Sequence, residues 1–129
     1  MKDLILDTHA IVWYLMESPK LSRKGLNAID NAEKIYISAI SIIEIIYLEE
    51  KGKIPKICLA MIEQILNDDN NHWKVIPCDF NIAKCLSQID REIIPEMPDR
   101  IIAATALYLN LPLITCDTKI TASTVQTIW

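Results

Sequence analysis

Short apolar runs alternate with longer segments of helical composition along the chain, and this alternation constrains the fold more than any other feature. The runs that are typical of buried strands are LILD, KIYIS, WKVIP and PLITCD, with VQTIW as a candidate for a fifth. Strands that alternate with helices predict an α/β fold with a mainly parallel central sheet of four to five strands flanked by helices.

Capping residues predict where several helices begin and end. Ser22 is placed to cap a second helix, and either Ser38 or Ser41 is placed to cap the helix AISIIEIIYLEE. Gly52 follows that helix as an end signal. Pro98 opens the alanine-rich helix PDRIIAATALYLN. These signals place each helix between two candidate strands.

Composition narrows the class of protein. A chain of 129 residues that is 51% hydrophobic predicts one folded domain over residues 1–129. Its longest apolar runs are shorter than the roughly 20 residues of a membrane span, and MKDLILDTH reaches charged residues too soon for a signal peptide. We therefore expect a cytoplasmic protein without a membrane segment. Two glycines, Gly25 and Gly52, do not suffice for a phosphate-binding glycine loop.

Four cysteines occur without a CxxC pair, at Cys58, Cys78, Cys85 and Cys116. Each lies among apolar residues or beside a strand-like run. This placement predicts small buried thiols rather than a zinc site or a disulfide framework.

Four acids follow strand ends or open helices at what is predicted to be one edge of the sheet. Asp7 ends the first strand, Asp117 lies just past a later one, and Asp99 opens a helix. Glu44 lies six residues beyond Ser38, about one and a half helical turns after its strand. Because parallel sheets bind ligands beyond the carboxyl ends of their strands, we expect these carboxylates to converge.

Each acid also has an ordinary structural explanation. Glu44 is equally a solvent-facing charge or the partner of a lysine or arginine in the core. Asp7 and Asp99 suit helix N-caps, and Asp117 suits a turn. The shared edge favours a common site over four separate explanations.

Other polar and aromatic residues near these positions have weaker signals. Glu96 is a candidate fifth acid. His9 indicates packing or support behind the acids more than a general base. The pair Trp13 and Tyr14 indicates core packing rather than a platform for base stacking.

Four motifs together resemble the PIN domain family. They are LILDTHAIVWYL, YISAISIIEI, PDRIIAATAL and LITCD, and they span essentially the whole chain in order. The nearest subgroup is the VapC-type toxin ribonucleases of prokaryotic toxin–antitoxin systems. The resemblance implies a three-layer PIN-like fold and four acids that bind Mg²⁺ or Mn²⁺ and cleave RNA.

The resemblance assigns roles to individual positions. The catalytic and metal-binding acids are Asp7, Glu44, Asp99 and Asp117, and the residues that often accompany them are Thr8, Ser41 and Thr115. Relatives often carry DPFDR where this chain has EMPDR, so Glu96 stands where an aspartate is common while Asp99 is retained.

Carboxylates suit a hard cation such as Mg²⁺, and the absence of a His or Cys cluster in the sequence argues against zinc. The expected reaction is hydrolysis of an RNA phosphodiester, and the family implies a 5′-phosphate and a 3′-hydroxyl as products. It also implies a cognate antitoxin and a homodimer as partners. The sequence leaves open whether one or two ions bind.

Net charge at first opposes RNA binding. The chain carries −4, with 17 acids and 13 bases, but with four acids at the site the remainder is formally neutral. Seven cations are candidates for phosphate contacts at the approach to the acids: Lys20, Arg23, Lys24, Lys51, Lys53, Arg100 and Lys119. For most of them, ordinary solvated surface is the favoured explanation. For Arg100 a structural ion pair is an equal alternative.

Two other functions remain open. A phosphotransfer enzyme that uses a strand-end aspartate needs a second aspartate two residues later, where this chain has His9. A non-catalytic PIN-like binding or scaffold domain would be favoured by the loss of a site acid, and all four are present.

Overall fold

The computed structural model describes residues 2–129, which contain a five-stranded sheet in the order β3-β2-β1-β4-β5. All neighbouring strands pair in parallel. The strands are β1 (Leu4–Leu6), β2 (Ile35–Ser38), β3 (Trp73–Ile76), β4 (Leu113–Ile114) and β5 (Thr127–Ile128). The predicted α/β fold is confirmed, including the VQTIW strand.

Within residues 2–129, seven α-helices flank this sheet. They are α1 (Thr8–Leu15), α2 (Arg23–Asp30), α3 (Ala39–Glu50), α4 (Cys58–Asn67), α5 (Phe80–Cys85), α6 (Met97–Leu109) and α7 (Thr118–Thr121). A short 3₁₀ turn, Leu86–Gln88, follows α5. No helix within residues 2–129 is both long and apolar enough to cross a lipid bilayer.

The order of the strands creates a switch point between β1 and β4. From β1 the chain proceeds outward to β2 and β3, then crosses back so that β4 lies on the other side of β1. The loops after β1 and β4 therefore diverge and leave a crevice at the carboxyl edge. Asp7 and Asp117 follow these two strands, so the topology alone brings them to one place.

Helix ends agree with the capping signals. The Ser22 hydroxyl accepts from the Gly25 N–H, and Ser38, rather than Ser41, caps α3 by accepting from the Ile40 N–H. Gly52 has a φ of +69° after α3. The Gly52 N–H donates to Glu49 O at 3.0 Å, a helix-ending geometry that glycine adopts at little cost.

The core has two parts, one on each face of the sheet. Leu4 and Leu6 pack into one cluster with α1, α2 and α4, while Ile5 packs into the other with α5 and α6. This alternation follows from the two-residue period of a strand. Helix α3 contributes Ile45 to the first cluster, and Ile40 packs against the second. Helix α3 thus packs against both core clusters, and this packing holds it at the edge of the sheet.

The prediction of four buried thiols is half wrong. Cys58 and Cys85 are buried, but Cys78 and Cys116 are exposed. Both exposed residues come just after a strand, where the chain has already left the sheet. Proximity to an apolar run therefore did not imply burial.

Candidate active site

Asp7 is the most buried of the four acids, with 7% of its surface exposed. It caps α1, and its Oδ1 accepts from the Ala10 N–H at 2.8 Å. Burial raises the pKa of Asp7, while hydrogen bonds from Thr115 and Ala10 act in the opposite direction. The N-cap role that seemed an alternative to function is real, and it holds the carboxylate at the end of β1.

Glu44 is half-buried and fixed by two buried hydroxyls. Its Oε1 lies 2.6 Å from Thr8 Oγ1, and Thr8 Oγ1 lies 3.0 Å from Ser41 Oγ. Because an ionised carboxylate only accepts, Thr8 donates to Glu44, and the Ser41 hydroxyl is left to donate to Thr8. Thr8 and Ser41 are 4% and 0% exposed. This chain of bonds ties α3 to the start of α1.

Asp99 shows most directly that the four acids share one region. It lies in the first turn of α6 and is half-buried. Burial and then the charges of Asp117, Glu44 and Asp7, in that order, raise its pKa to about 6 from 3.8. An upward shift caused by three other carboxylates requires all of them to lie within electrostatic range.

Asp117 caps a helix that the sequence did not indicate. A turn was the structural alternative for Asp117, but α7 begins at Thr118, and Asp117 Oδ1 accepts from the Lys119 N–H at 2.8 Å. The Asp117 N–H donates to Thr115 Oγ1 at 3.0 Å. Thr115 therefore contacts both acids that flank the switch point.

The donor set suits a hard divalent cation, although the acids do not form a closed cage. Four carboxylates supply only oxygen, the ligand that Mg²⁺ and Mn²⁺ prefer. Within residues 2–129, no three His, Cys, Asp or Glu side chains are grouped closely enough to hold a metal ion as they stand. The repulsion that raises the pKa of Asp99 nevertheless acts across the group. The acids thus lie close enough to influence the pKa of Asp99, and their oxygen atoms suit a hard cation in chemistry.

Arg100 does not face the acids. Its Nε and Nη2 donate to the Ile89 carbonyl at 3.2 and 2.7 Å, and Nη2 also donates to the Leu86 carbonyl at 2.9 Å. Neither the phosphate contact nor the ion pair expected from the sequence describes this arrangement. Arg100 instead clamps the start of α6 to the 3₁₀ turn. Glu96 precedes α6, is exposed, and makes no capping hydrogen bond.

Aromatic residues near the acids are less buried than the sequence suggested. Trp13 and Tyr14 are half-buried rather than enclosed. The His9 ring is exposed and lies 5.5 Å from the Trp13 ring, which in turn lies 5.8 Å from the Trp129 ring. The Tyr14 hydroxyl donates to Asp30 at 3.0 Å. The prediction of core packing for Trp13 and Tyr14 is therefore only partly right.

A cavity of about 590 Å³ has none of the four acids in its lining. Its lining residues are Trp13, Tyr14, Leu15, Glu17, Ser18, Leu21, Leu26, Asp30 and Met61. The four carboxylates therefore lie outside this cavity, at the carboxyl edge of the sheet.

The chain belongs to the PIN domain family, whose sequence model matches residues 4–123. The resemblance noted from the motifs is thereby confirmed, and the three-layer fold with a parallel sheet agrees with it.

Individual relatives are similar over nearly their full length. Ribonuclease VapC22 of Mycobacterium tuberculosis (strain ATCC 25618 / H37Rv) is 25% identical over 122 residues, which are 93% of this chain and 91% of the relative. A DNA-bound VapBC structure from Salmonella typhimurium superimposes with a TM-score of 0.72 at 23% identity, covering 98% and 97% of the two chains. VapBC2 from Rickettsia felis, bound to a promoter DNA fragment, superimposes with a TM-score of 0.70 at 18% identity, covering 97% and 96%.

Proposed function

We propose that this chain is a divalent-metal-dependent endoribonuclease and the toxin of a toxin–antitoxin pair. The observation that carries the proposal is the pKa of Asp99, raised to about 6 by burial and by three neighbouring carboxylates. Such a focus of uncompensated negative charge is costly unless a cation binds there. Membership of the PIN domain family and similarity to Ribonuclease VapC22 support the reaction class.

Asp7 and Asp99 would hold the cation most directly, and Glu44 and Asp117 would complete its surroundings. When bound, Mg²⁺ or Mn²⁺ supplies positive charge to the phosphate and lowers the pKa of a bound water. We expect the reaction to add the water oxygen to phosphorus and break the bond to the 3′ oxygen. The products are then a 5′-phosphate and a 3′-hydroxyl.

The hydroxyl residues orient the acids in this proposal. Thr8 occupies Oε1 of Glu44 with a hydrogen bond, which leaves Oε2 to face water or the cation. Thr115 accepts from the Asp117 N–H and donates toward Asp7, so one hydroxyl sets the two acids at the switch point. Fixed donors of this kind lower the cost of reorganising the site during reaction.

The test is cleavage of single-stranded RNA with Mg²⁺ or Mn²⁺, run beside EDTA. Wild-type protein and Asp69→Asn, which changes an exposed acid in the turn after α4, should cleave equally. Asp7→Asn and Asp99→Asn should each lower the rate by at least about a hundredfold, the loss typical of an essential group in a preorganised site. Undiminished cleavage by both variants would show that the assignment is wrong.

A catalytic site and a scaffold are separated by calorimetric titration with Mn²⁺. A nuclease of this kind should give a saturable heat signal with Mn²⁺, and Asp99→Asn should weaken that binding by at least about tenfold. Equal titration curves for wild type and variant would favour a non-catalytic domain.

We infer the partners from the comparisons and from exposed apolar surface. Similar chains are found in a VapBC structure from Salmonella typhimurium and in a toxin–antitoxin complex from Klebsiella pneumoniae, so we propose an antitoxin for this chain in the cytoplasm. Expression alone should then arrest growth, and co-expression with the antitoxin should restore it. Ile43 and Tyr47, one turn apart on α3, are 49% and 61% exposed and suit a homodimer contact. Light scattering of Tyr47→Glu should give a monomer mass if that contact is used.

A further inference from the structure

We propose that His9, Trp13 and Trp129, here called the aromatic row, form a nucleobase-binding surface beside the four acids. Bases that flank the cleaved phosphate would stack on these rings. The inference rests on the proposed function, because that function places an RNA strand at the acids. It goes further by naming which part of the strand the protein grips and with which side chains.

One end of the aromatic row starts at the site itself. Asp7 caps α1, and His9 follows in the first turn of that helix. Trp13 is four residues further on, so both rings lie on the same face of α1. Their centroids are 5.5 Å apart. A strand whose phosphate lies at Asp7 therefore has these rings within reach of its neighbouring bases.

The other end of the row returns to the same edge of the sheet. Trp129 directly follows β5, which pairs in parallel with β4 so that Ile128 is level with Ile114. Trp129 is thus level with Thr115, the residue that contacts Asp7 and Asp117. The Trp129 ring lies 5.8 Å from Trp13. Helix α1 and strand β5 meet through these rings beside the switch point.

The geometry of the rings suits stacking with bases. Successive planes are tilted by 43° and 57°, so neighbouring rings cover one another only in part. His9 is exposed, while Trp13 and Trp129 are half-buried and pack against the core. The rings are therefore anchored and still present open surface, which is how single-strand-binding proteins hold bases of any sequence.

The charge of the protein favours a surface that binds bases. The protein carries a net charge of −4, and the acids at the site repel phosphates. Arg100, the cation next to Asp99 in sequence, is occupied by the Leu86 and Ile89 carbonyls. Base stacking contributes binding energy without requiring positive charge, so it compensates where phosphate contacts are few.

The test measures binding of an oligoadenylate of about eight nucleotides, a length within known single-strand site sizes. Binding is followed by tryptophan fluorescence, in EDTA so that no cleavage occurs, and at about 0.15 M salt so that repulsion is screened. An abasic strand of equal length keeps the phosphates and lacks the bases. The variants are Trp129→Leu, Trp129→Phe and His9→Leu. Tyr108→Leu is the matched control, because Tyr108 is 50% exposed at the end of α6 opposite Asp99.

The wild type should bind the oligoadenylate at least about tenfold more tightly than the abasic strand. Trp129→Leu and His9→Leu should each weaken oligoadenylate binding by at least about fivefold, the loss expected for one stacking ring, while Trp129→Phe and Tyr108→Leu should not. Equal affinities for the two strands, no binding by the wild type, or wild-type affinity in both leucine variants would overturn the proposal. If such variants instead lost affinity only for a protein partner, the row would be a protein-binding surface and the proposal wrong. Cleavage is assayed separately with Mn²⁺. Binding that depends on the rings, without any cleavage, would refute the proposed nuclease activity and still support the nucleobase-binding surface.

Discussion

Replacing Asp99 with asparagine should stabilise the metal-free protein at neutral pH. In the folded protein the pKa of Asp99 is about 6, against 3.8 for an unperturbed aspartate. At about 1.4 kcal/mol per pKa unit, ionising Asp99 at pH 7.5 opposes folding by at most about 3 kcal/mol. Asp99 is only half-buried, so solvent screening reduces this to about 1–2 kcal/mol. The lost interaction with the start of α6 costs about 0.3–1 kcal/mol, and the net gain is about 1 kcal/mol.

The sign of the pH dependence follows from the raised pKa. The folded protein holds the proton of Asp99 more tightly than the unfolded chain does. The contribution of Asp99 to the free energy of unfolding is therefore greatest below about pH 4. That contribution is lost as pH rises through about 6. Asp99→Asn should therefore show a flatter dependence of unfolding free energy on pH across this window than the wild type.

Urea unfolding in EDTA, followed by tryptophan fluorescence at pH 4.5 and 7.5, measures both effects. In a separate thermal scan, the expected gain at pH 7.5 corresponds to a rise in Tm of about 3–5 °C. Asp69→Asn, which alters an exposed acid, should change neither stability nor its pH dependence. A loss of stability in Asp99→Asn at pH 7.5, or an equal gain in Asp69→Asn, would refute the idea that carboxylate repulsion strains this site.

Three further changes test other parts of the structure. Thr8→Val should lower the free energy of unfolding by about 1–3 kcal/mol and slow RNA cleavage at least about tenfold, because Glu44 loses its hydrogen-bond donor. Thr8→Ser keeps the hydroxyl and should restore most of both properties. Equal cleavage rates for the valine and serine variants would contradict this. Arg100→Leu should lower the urea midpoint by the equivalent of about 1–3 kcal/mol, because the Leu86 and Ile89 carbonyls lose their donor, and an unchanged midpoint would show that water replaces it. Mn²⁺ at a hundredfold excess over the wild-type Kd should stabilise the wild type by about 2.7 kcal/mol and the Glu44→Gln protein by clearly less. The shift in Tm measures both effects. Equal shifts in the two proteins would exclude Glu44 from the cation site.

The elements that position the acids were predictable because each leaves a local signal. Apolar runs identified the strands, and the topology rule for parallel sheets then placed Asp7 and Asp117 at one edge. Pro98 and the alanines after it marked α6 and hence the position of Asp99. Glu44 followed from its distance along α3 from Ser38.

Features that depend on tertiary contacts were not predictable from sequence. Arg100 is adjacent to Asp99, yet its partners are carbonyls 11 and 14 positions earlier in the chain, which no local pattern reveals. Helix α7 has four residues, too few for an apolar period. The row from His9 to Trp129 joins the two ends of the sequence, so only the pairing of β5 with β4 brings it together.

The central claim is that four carboxylates act as one site for RNA hydrolysis, and a double-variant cycle tests it most directly. Cleavage rates with saturating Mn²⁺ are measured for Asp7→Asn, Asp117→Asn and the protein with both changes. Groups that act as a unit are strongly non-additive, so the double variant should be no more than about threefold slower than the slower single variant. A double variant whose loss equals the product of the two single losses would show that Asp7 and Asp117 act independently, and the account of a shared site would be wrong.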